Sequence, residues 1–270
     1  MLSKRLLFVI FMIPIGIALI SFGGIPYLLF LAITLGIAAW EYCQLFKKCD
    51  FSPSIVLVIG GTGALIVQRA WSGFNGADIL LSLLILASMT YHLVDYERGR
   101  NQAATDFGIT VGGIFYIGWL GAYLVSLRGL PEGKWWVLLA LPAVWLADGG
   151  AYFIGSRFGR RHLSPRLSPK KTWEGYFGGV LFGILGGALL AAFWHLMSPP
   201  VTAMRGAIMG LVLASLTPLG DLGESMFKRQ AGMKDSSNII PGHGGILDRY
   251  DSWLWAGVLG YYVIQWLQFK

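Results

Sequence analysis

What most constrains this chain is a succession of apolar stretches, each about 17 to 20 residues long, recurring from end to end. That length of helix crosses a hydrocarbon core of about 30 Å. In lipid no backbone N–H or C=O can be left unpaired, so only helices or closed barrels span it. The runs are continuous rather than alternating, which argues against a barrel. The fold expected is all-α, a polytopic integral membrane protein of about nine transmembrane helices. The runs cover about residues 6–22, 25–39, 55–68, 79–94, 107–127, 135–154, 176–197, 204–225 and 253–267. The first follows Lys4 and Arg5; it is long for a signal peptide and lacks an A-x-A cleavage site, so it reads as a retained helix. Composition agrees: 55% of residues are hydrophobic and 13% charged, about half the charged share of a soluble domain.

Charge sets the orientation. With the N-terminus in the cytoplasm, 16 of the 21 Lys and Arg residues fall on the inner side, as the positive-inside rule requires. The C-terminus is then outside, and the polar loops at about 156–175 and 226–250 share the cytoplasmic side. The net charge of +7 thus points to the inner membrane surface rather than to nucleic acid. Trp40, Trp71, Trp135, Trp136, Trp173, Trp194 and Trp253 fall at expected helix ends and read as an interfacial belt. Cys43 and Cys49 lie in one polar loop without CxxC spacing, and read as free thiols in a reducing compartment. No repeat or soluble domain interrupts the pattern. Residues 1–140 read as scaffold helices and 141–270 as the catalytic region.

The chemistry concentrates in the polar segment 221–251. It holds five acids (Asp221, Glu224, Asp235, Asp248 and Asp251) beside Lys228, Arg229, Lys234 and Arg249. Asp221, Glu224, Ser225 and Lys228 have i, i+3, i+4, i+7 spacing and share one face if helix continues there; a surface salt-bridge stripe has the same spacing. Upstream, Asp148 interrupts an apolar run within about two turns of its cytoplasmic end, where a carboxylate faces a cavity, an ion or a partner such as a loop arginine. The basic loop 157–175 serves as a membrane anchor or as an anion site. In the second reading, Ser164-Pro165 and Ser168-Pro169 are helix N-caps with Pro at the first position, and Ser168-Pro-Lys170-Lys171 offers amides and ammonium groups to phosphate. Pro241-Gly-His243-Gly244-Gly245 can form an anion nest, with His243 a base, a phosphate donor or a structural hydrogen bonder. Carboxylates from two segments suit Mg²⁺; the lack of Cys nearby argues against zinc.

The stretch Ser225-x-Phe-Lys-Arg-x4-Lys-Asp-x-Ser-x2-Ile-Pro-x-His-Gly-Gly-Ile-x-Asp-Arg-Tyr-Asp251 spans 27 residues. It resembles the motif of phosphatidate cytidylyltransferases, the CDP-diacylglycerol synthases. Ser168-Pro-Lys-Lys-Thr-Trp-Glu-Gly175 and the Asp148 segment look like further family features, so the resemblance covers about residues 141–255. Tyr250 stands where an aliphatic residue is expected. The resemblance implies transfer of a cytidylyl group from CTP to phosphatidate, giving CDP-diacylglycerol and pyrophosphate, at the cytoplasmic face of the inner membrane. It carries Mg²⁺ as cofactor, with room for a second cation, and CTP, phosphatidate, the bilayer and a homodimer as partners. Asp221 and Asp248 are assigned as principal metal ligands, with Asp251 and Asp148 as further candidates. Ser225, Lys228 and Arg229 complete the catalytic set, and Lys170, Lys171, Lys234, His243, Gly244, Gly245 and Arg249 the substrate-binding set.

The chemistry fits independently. A lipid phosphate is already an anion at neutral pH, so its attack on the α-phosphorus of CTP needs positioning and charge neutralisation more than a strong base. The rivals are a CTP-dependent lipid kinase, which would release CDP instead of pyrophosphate; a transporter, disfavoured by acids clustered at one interface and by the lack of an inverted repeat; and a noncatalytic scaffold, which leaves the charge density around Asp221 unexplained.

Overall fold

The computed structural model describes residues 13–240 and 244–268. It is a helical membrane protein: α1 (Ile13–Phe22), α2 (Gly24–Lys47), α3 (Ile55–Ser72), α4 (Ala77–Glu97), α5 (Ala103–Gly113) and α6 (Leu120–Gly129), then α7 (Gly133–Phe158), α8 (Trp173–His195), α9 (Ala203–Leu216), α10 (Pro218–Gln230) and α11 (Leu247–Gln268). A π-helical turn, Ile114–Trp119, joins α5 to α6. Among the described residues, seven helical stretches are long and apolar enough to cross a membrane: α2, α3, α4, Ala103–Gly129, α7, α8 and Ala203–Gln230. The first expected run includes α1, whose described part is short, and the last lies within α11, which is not in that set.

The expected second run ends too early. α2 continues past residue 39 to Lys47, so Cys43 is not in a loop but fully buried within the helix. Tyr42, Cys43, Leu45 and Phe46 are all buried, and that apolar packing carries the helix through Glu41. Cys43 and Cys49 are both unpaired thiols.

The chain divides into two compact units, residues 1–126 with 227–250, and residues 127–226 with 251–270. In the first, α2 packs on α3, α5 and the π-turn, and α4 packs on α3 and α5. Leu35, Leu65 and Ile117 are wholly enclosed. Gly118 lets the π-turn approach α3, since a methyl there would stand 3.0 Å from the Thr62 backbone. A buried carboxylate fixes the connections: Asp106 accepts from Arg100 Nε at 2.7 Å and from the Ser52 amide at 2.7 Å, and Thr110 Oγ1 accepts from the Ser54 amide at 2.9 Å.

In the second unit α7, α8 and α9 pack on one another. The buried positions of α8 are Gly175, Gly179, Gly183, Gly187 and Ala191, one every fourth residue. Gly175 and Gly179 meet Ala147, Ala151 and Gly155 of α7, while Gly183, Gly187 and Ala191 meet Gly206, Gly210 and Ala214 of α9, so backbone lies against backbone. Apolar side chains gain little by leaving lipid for protein. Close van der Waals approach of small residues therefore holds such helices together.

The loop after α7 departs from expectation. Ser164 and Ser168 do not cap helices; His162–Ser164 (β1) and Ser168–Thr172 (β2) form a short antiparallel hairpin. Proline is tolerated in such a strand because an edge position needs no N–H. The helix cap lies further on, where Thr172 accepts from the Gly175 amide at 3.1 Å and starts α8.

A methyl on Gly210 would run into the Gly183 carbonyl. Gly210→Val should cost about 1–3 kcal/mol, read as a lower melting temperature in detergent, while Gly63→Ala, in open space, should stay close to wild type.

Candidate functional site

In the second unit, α9 ends at Leu216 and the chain restarts as α10 at Pro218. Proline is favoured in the first turn because it lacks an N–H that would be unpaired anyway. Asp221 falls in that first turn, where the helix dipole favours an anion. Its carboxylate pairs with the Lys171 ammonium, carried on β2, and the Ser225 hydroxyl is 3.4 Å from its Oδ1. Asp148 on α7 is near enough to feel the charges of both Lys171 and Asp221. It lies ten residues before the helix ends at Phe158, deeper than expected because α7 outlasts the apolar run. Gly220 packs directly on the Asp251 backbone carbonyl and the Trp255 ring, which brings the start of α10 against α11. The hairpin thus delivers Lys171 to the Asp221 carboxylate. Lys170 beside it is exposed.

α10 continues to Gln230, so Asp221, Glu224, Ser225 and Lys228 are all helical. In the first unit, Phe227 fills a space between Tyr42, Phe46 and Tyr116, with ring centroids 5.7, 5.6 and 5.7 Å away. Lys228 beside it is buried. The Lys228 Nζ donates to Asp248 Oδ1 at 2.6 Å. The other oxygen of Asp248 accepts from the Ser236 amide at 2.9 Å, the Ser236 hydroxyl at 2.9 Å and the Gly245 amide at 2.7 Å. Burial pushes this carboxyl up, yet the Lys228 and amide hydrogen bonds outweigh it and hold it below the usual carboxylate range. Asp248 is therefore ionised at neutral pH.

The glycine nest also differs from expectation. Gly244 takes a left-handed conformation, φ +81°. The amides that follow it are filled by the protein's own carboxylates: Gly245 by Asp248, and Ile246 and Leu247 by Glu41. His243 lies outside the described residues. Arg229 donates to the Met233 carbonyl at 3.2 Å, and Lys234 and Arg249 are exposed. Tyr250, where an aliphatic residue was expected, is buried with its hydroxyl 2.7 Å from Thr34 Oγ1.

Glu41 is the residue that sequence reasoning missed. The signal was present: it is an acid flanked by Trp40, Tyr42, Cys43, Leu45 and Phe46, and the rule that singles out Asp148 applies equally to it.

A model of the cytidylyltransferase family matches residues 3–267. The chain belongs to the cytidylyltransferase family. A protein of Synechocystis named phosphatidate cytidylyltransferase is 32% identical over 97% of this chain and 96% of its own length. One from Pseudomonas aeruginosa with the same name is 31% identical over 93% of each chain, and one from Bacillus subtilis is 29% identical over 97% of each. The family match extends through the N-terminal helices, beyond the 141–255 stretch that carries the motifs.

The polar side chains around Asp221 are carboxylates, a hydroxyl and an ammonium. Among the described residues, no three His, Cys, Asp or Glu side chains group so as to hold a metal by themselves. That donor set fits a hard cation of the Mg²⁺ kind, which is commonly held by one or two carboxylates together with water and substrate phosphates.

Asp248→Asn places an amide nitrogen against either the Lys228 ammonium or the Ser236 and Gly245 N–H groups. Removing one partner of such an enclosed pair costs about 3–5 kcal/mol. The expected result is faster hydrogen exchange across residues 236–247, measured by mass spectrometry, with exchange in α8 unchanged.

Proposed function

We propose that this chain transfers the cytidylyl group of CTP to phosphatidate, forming CDP-diacylglycerol and pyrophosphate for phospholipid synthesis. The observation that carries the reading is near full-length membership of the family combined with the ionised, lysine-paired Asp248 at the end of its signature segment. In the reaction a phosphate oxygen of phosphatidate attacks the α-phosphorus of CTP. The bond to that phosphorus forms as the bond between the α-phosphorus and its bridging oxygen breaks, and the electron pair leaves on pyrophosphate. No proton need be removed from the nucleophile.

The protein's task is then to hold two polyanions together. Lys228 and Arg229 neutralise phosphate oxygens, Lys171, Lys170, Lys234 and Arg249 add positive charge, and Gly244, Gly245 and His243 shape the segment beside them. Asp221 would hold Mg²⁺, assisted by Ser225, with Asp148, Asp248 and Asp251 as further ligands and room for a second cation. Bound there, Mg²⁺ would neutralise triphosphate oxygens and stabilise the leaving pyrophosphate. Lys171 keeps Asp221 charge-compensated and can turn to a phosphate when a cation takes its place.

The reading includes nine spans, N-terminus in the cytoplasm, in the inner membrane with the site on the cytoplasmic face, which is where CTP arrives from water and phosphatidate from the leaflet. The charge distribution supports this orientation. Catalytic groups come chiefly from residues 141–270, and the chain can function as a homodimer.

The test uses purified protein with labelled CTP, phosphatidate and Mg²⁺, followed by lipid chromatography. Labelled CDP-lipid with pyrophosphate supports the proposal; free CDP with a phosphorylated lipid would replace it with kinase activity. Asp221→Asn should lower turnover at least about 100-fold, since it removes charge from a group acting on the transition state, with the melting temperature little changed. Near-normal turnover in that variant removes the metal assignment.

A further inference from the structure

Glu41 is fully buried, 0% exposed, on a helix long and apolar enough to span the membrane. An acid there is costly unless every lone pair is used. All of its partners come from one segment, some two hundred residues away in sequence. Oε1 accepts from the Ser237 hydroxyl at 2.5 Å and the Ile246 amide at 3.0 Å. Oε2 accepts from the Ser236 hydroxyl at 3.0 Å and the Leu247 amide at 2.6 Å. The two amides belong to the start of α11, where the first N–H groups have no partner inside the helix and the dipole is positive. Glu41 therefore caps α11 from another element.

Two features join this cap to Asp248. Ser236 Oγ is 3.0 Å from Glu41 Oε2 and 2.9 Å from Asp248 Oδ2, so one hydroxyl bridges the carboxylates. Gly245 passes between them: a methyl on it would lie 2.5 Å from both Glu41 oxygens. Glycine at this position is thus a requirement of Glu41's approach, separate from any phosphate contact.

We propose that Glu41 is a positioning residue for cytidylyl transfer: it ties Ser236 and Ser237 to the start of α11 and sets, through Ser236 and the Leu247 amide, the direction in which Asp248 faces Lys228. The inference rests on the proposed function and names a determinant from the N-terminal helices. Glutamine cannot replace it. Each oxygen of Glu41 accepts from one backbone N–H as well as from a hydroxyl, so an amide NH₂ at either place would set donor against a fixed backbone donor.

The experiment compares Glu41→Gln, Ser236→Ala, Leu35→Ala and Asp248→Asn in the purified full chain. Turnover, KM for CTP and the rise in melting temperature on adding CTP are measured for each. Glu41→Gln should lose about 10- to 100-fold in kcat/KM, the range for removing a group that orients a first-contact ligand, and should lose the CTP-induced thermal shift. Ser236→Ala, which breaks the bridge but leaves the amide bonds, should move the same quantities in the same direction by less. Leu35→Ala opens a cavity in the same helix and should lower the melting temperature alone, leaving KM and the CTP shift as in wild type. Wild-type kinetics in folded Glu41→Gln or, if that variant does not fold, in Ser236→Ala, would overturn the proposal. If Asp248→Asn is inactive in that case, the proposed site survives and only Glu41's role falls. Full activity in Asp248→Asn would remove the role of Asp248, and Glu41's with it.

Discussion

Two buried carboxylates that accept hydrogen bonds from one returning segment are the interaction on which the first unit depends. The described residues 236–240 and 244–246 lie outside the helices and strands, so their amides need partners from elsewhere. An unpaired buried amide costs about 1–3 kcal/mol. Asp248 takes those of Ser236 and Gly245, and Glu41 those of Ile246 and Leu247. Both acids remain usable in an apolar setting because donors surround them.

The second unit is held by a different kind of contact. Glycines of α8 and α9 approach until backbones touch, which satisfies helix packing where burial from lipid contributes little. This antiparallel helix pair carries the hairpin and α10 at the same end, since Tyr176 near the start of α8 bonds the Ser215 carbonyl near the end of α9. Lys171 and Asp221 meet because β2 leads into α8 while α9 leads into α10. That lysine–carboxylate pair places both signs of charge at the start of α10.

Much of this was legible in the sequence. Continuous apolar runs dictated helices, because lipid leaves the backbone no other way to pair. The segment 225–251 announced the family by its spacing of charges and glycines. The helical phase from Asp221 to Lys228 followed from elementary geometry. Where local reading failed, distant partners decided. Ser168-Pro169 has the local signature of a helix start, yet pairing with His162–Ser164 makes it a strand. Residues 40–47 look polar enough to end a helix, yet α2 runs on to Lys47 with Tyr42 and Phe46 buried where Phe227 packs on them.

By itself the sequence determined an all-α membrane protein, its family and the identities of its charged residues, since lipid thickness, helical period and motif spacing are local properties of a chain. Only the tertiary structure decided which charge meets which: Lys171 with Asp221, Lys228 with Asp248, and Glu41 with the start of α11. The reason is physical. A carboxylate's partner is set by distance and by competition among donors in an enclosed space, and residues 41 and 247 come within hydrogen-bonding reach only when the helices between them have packed.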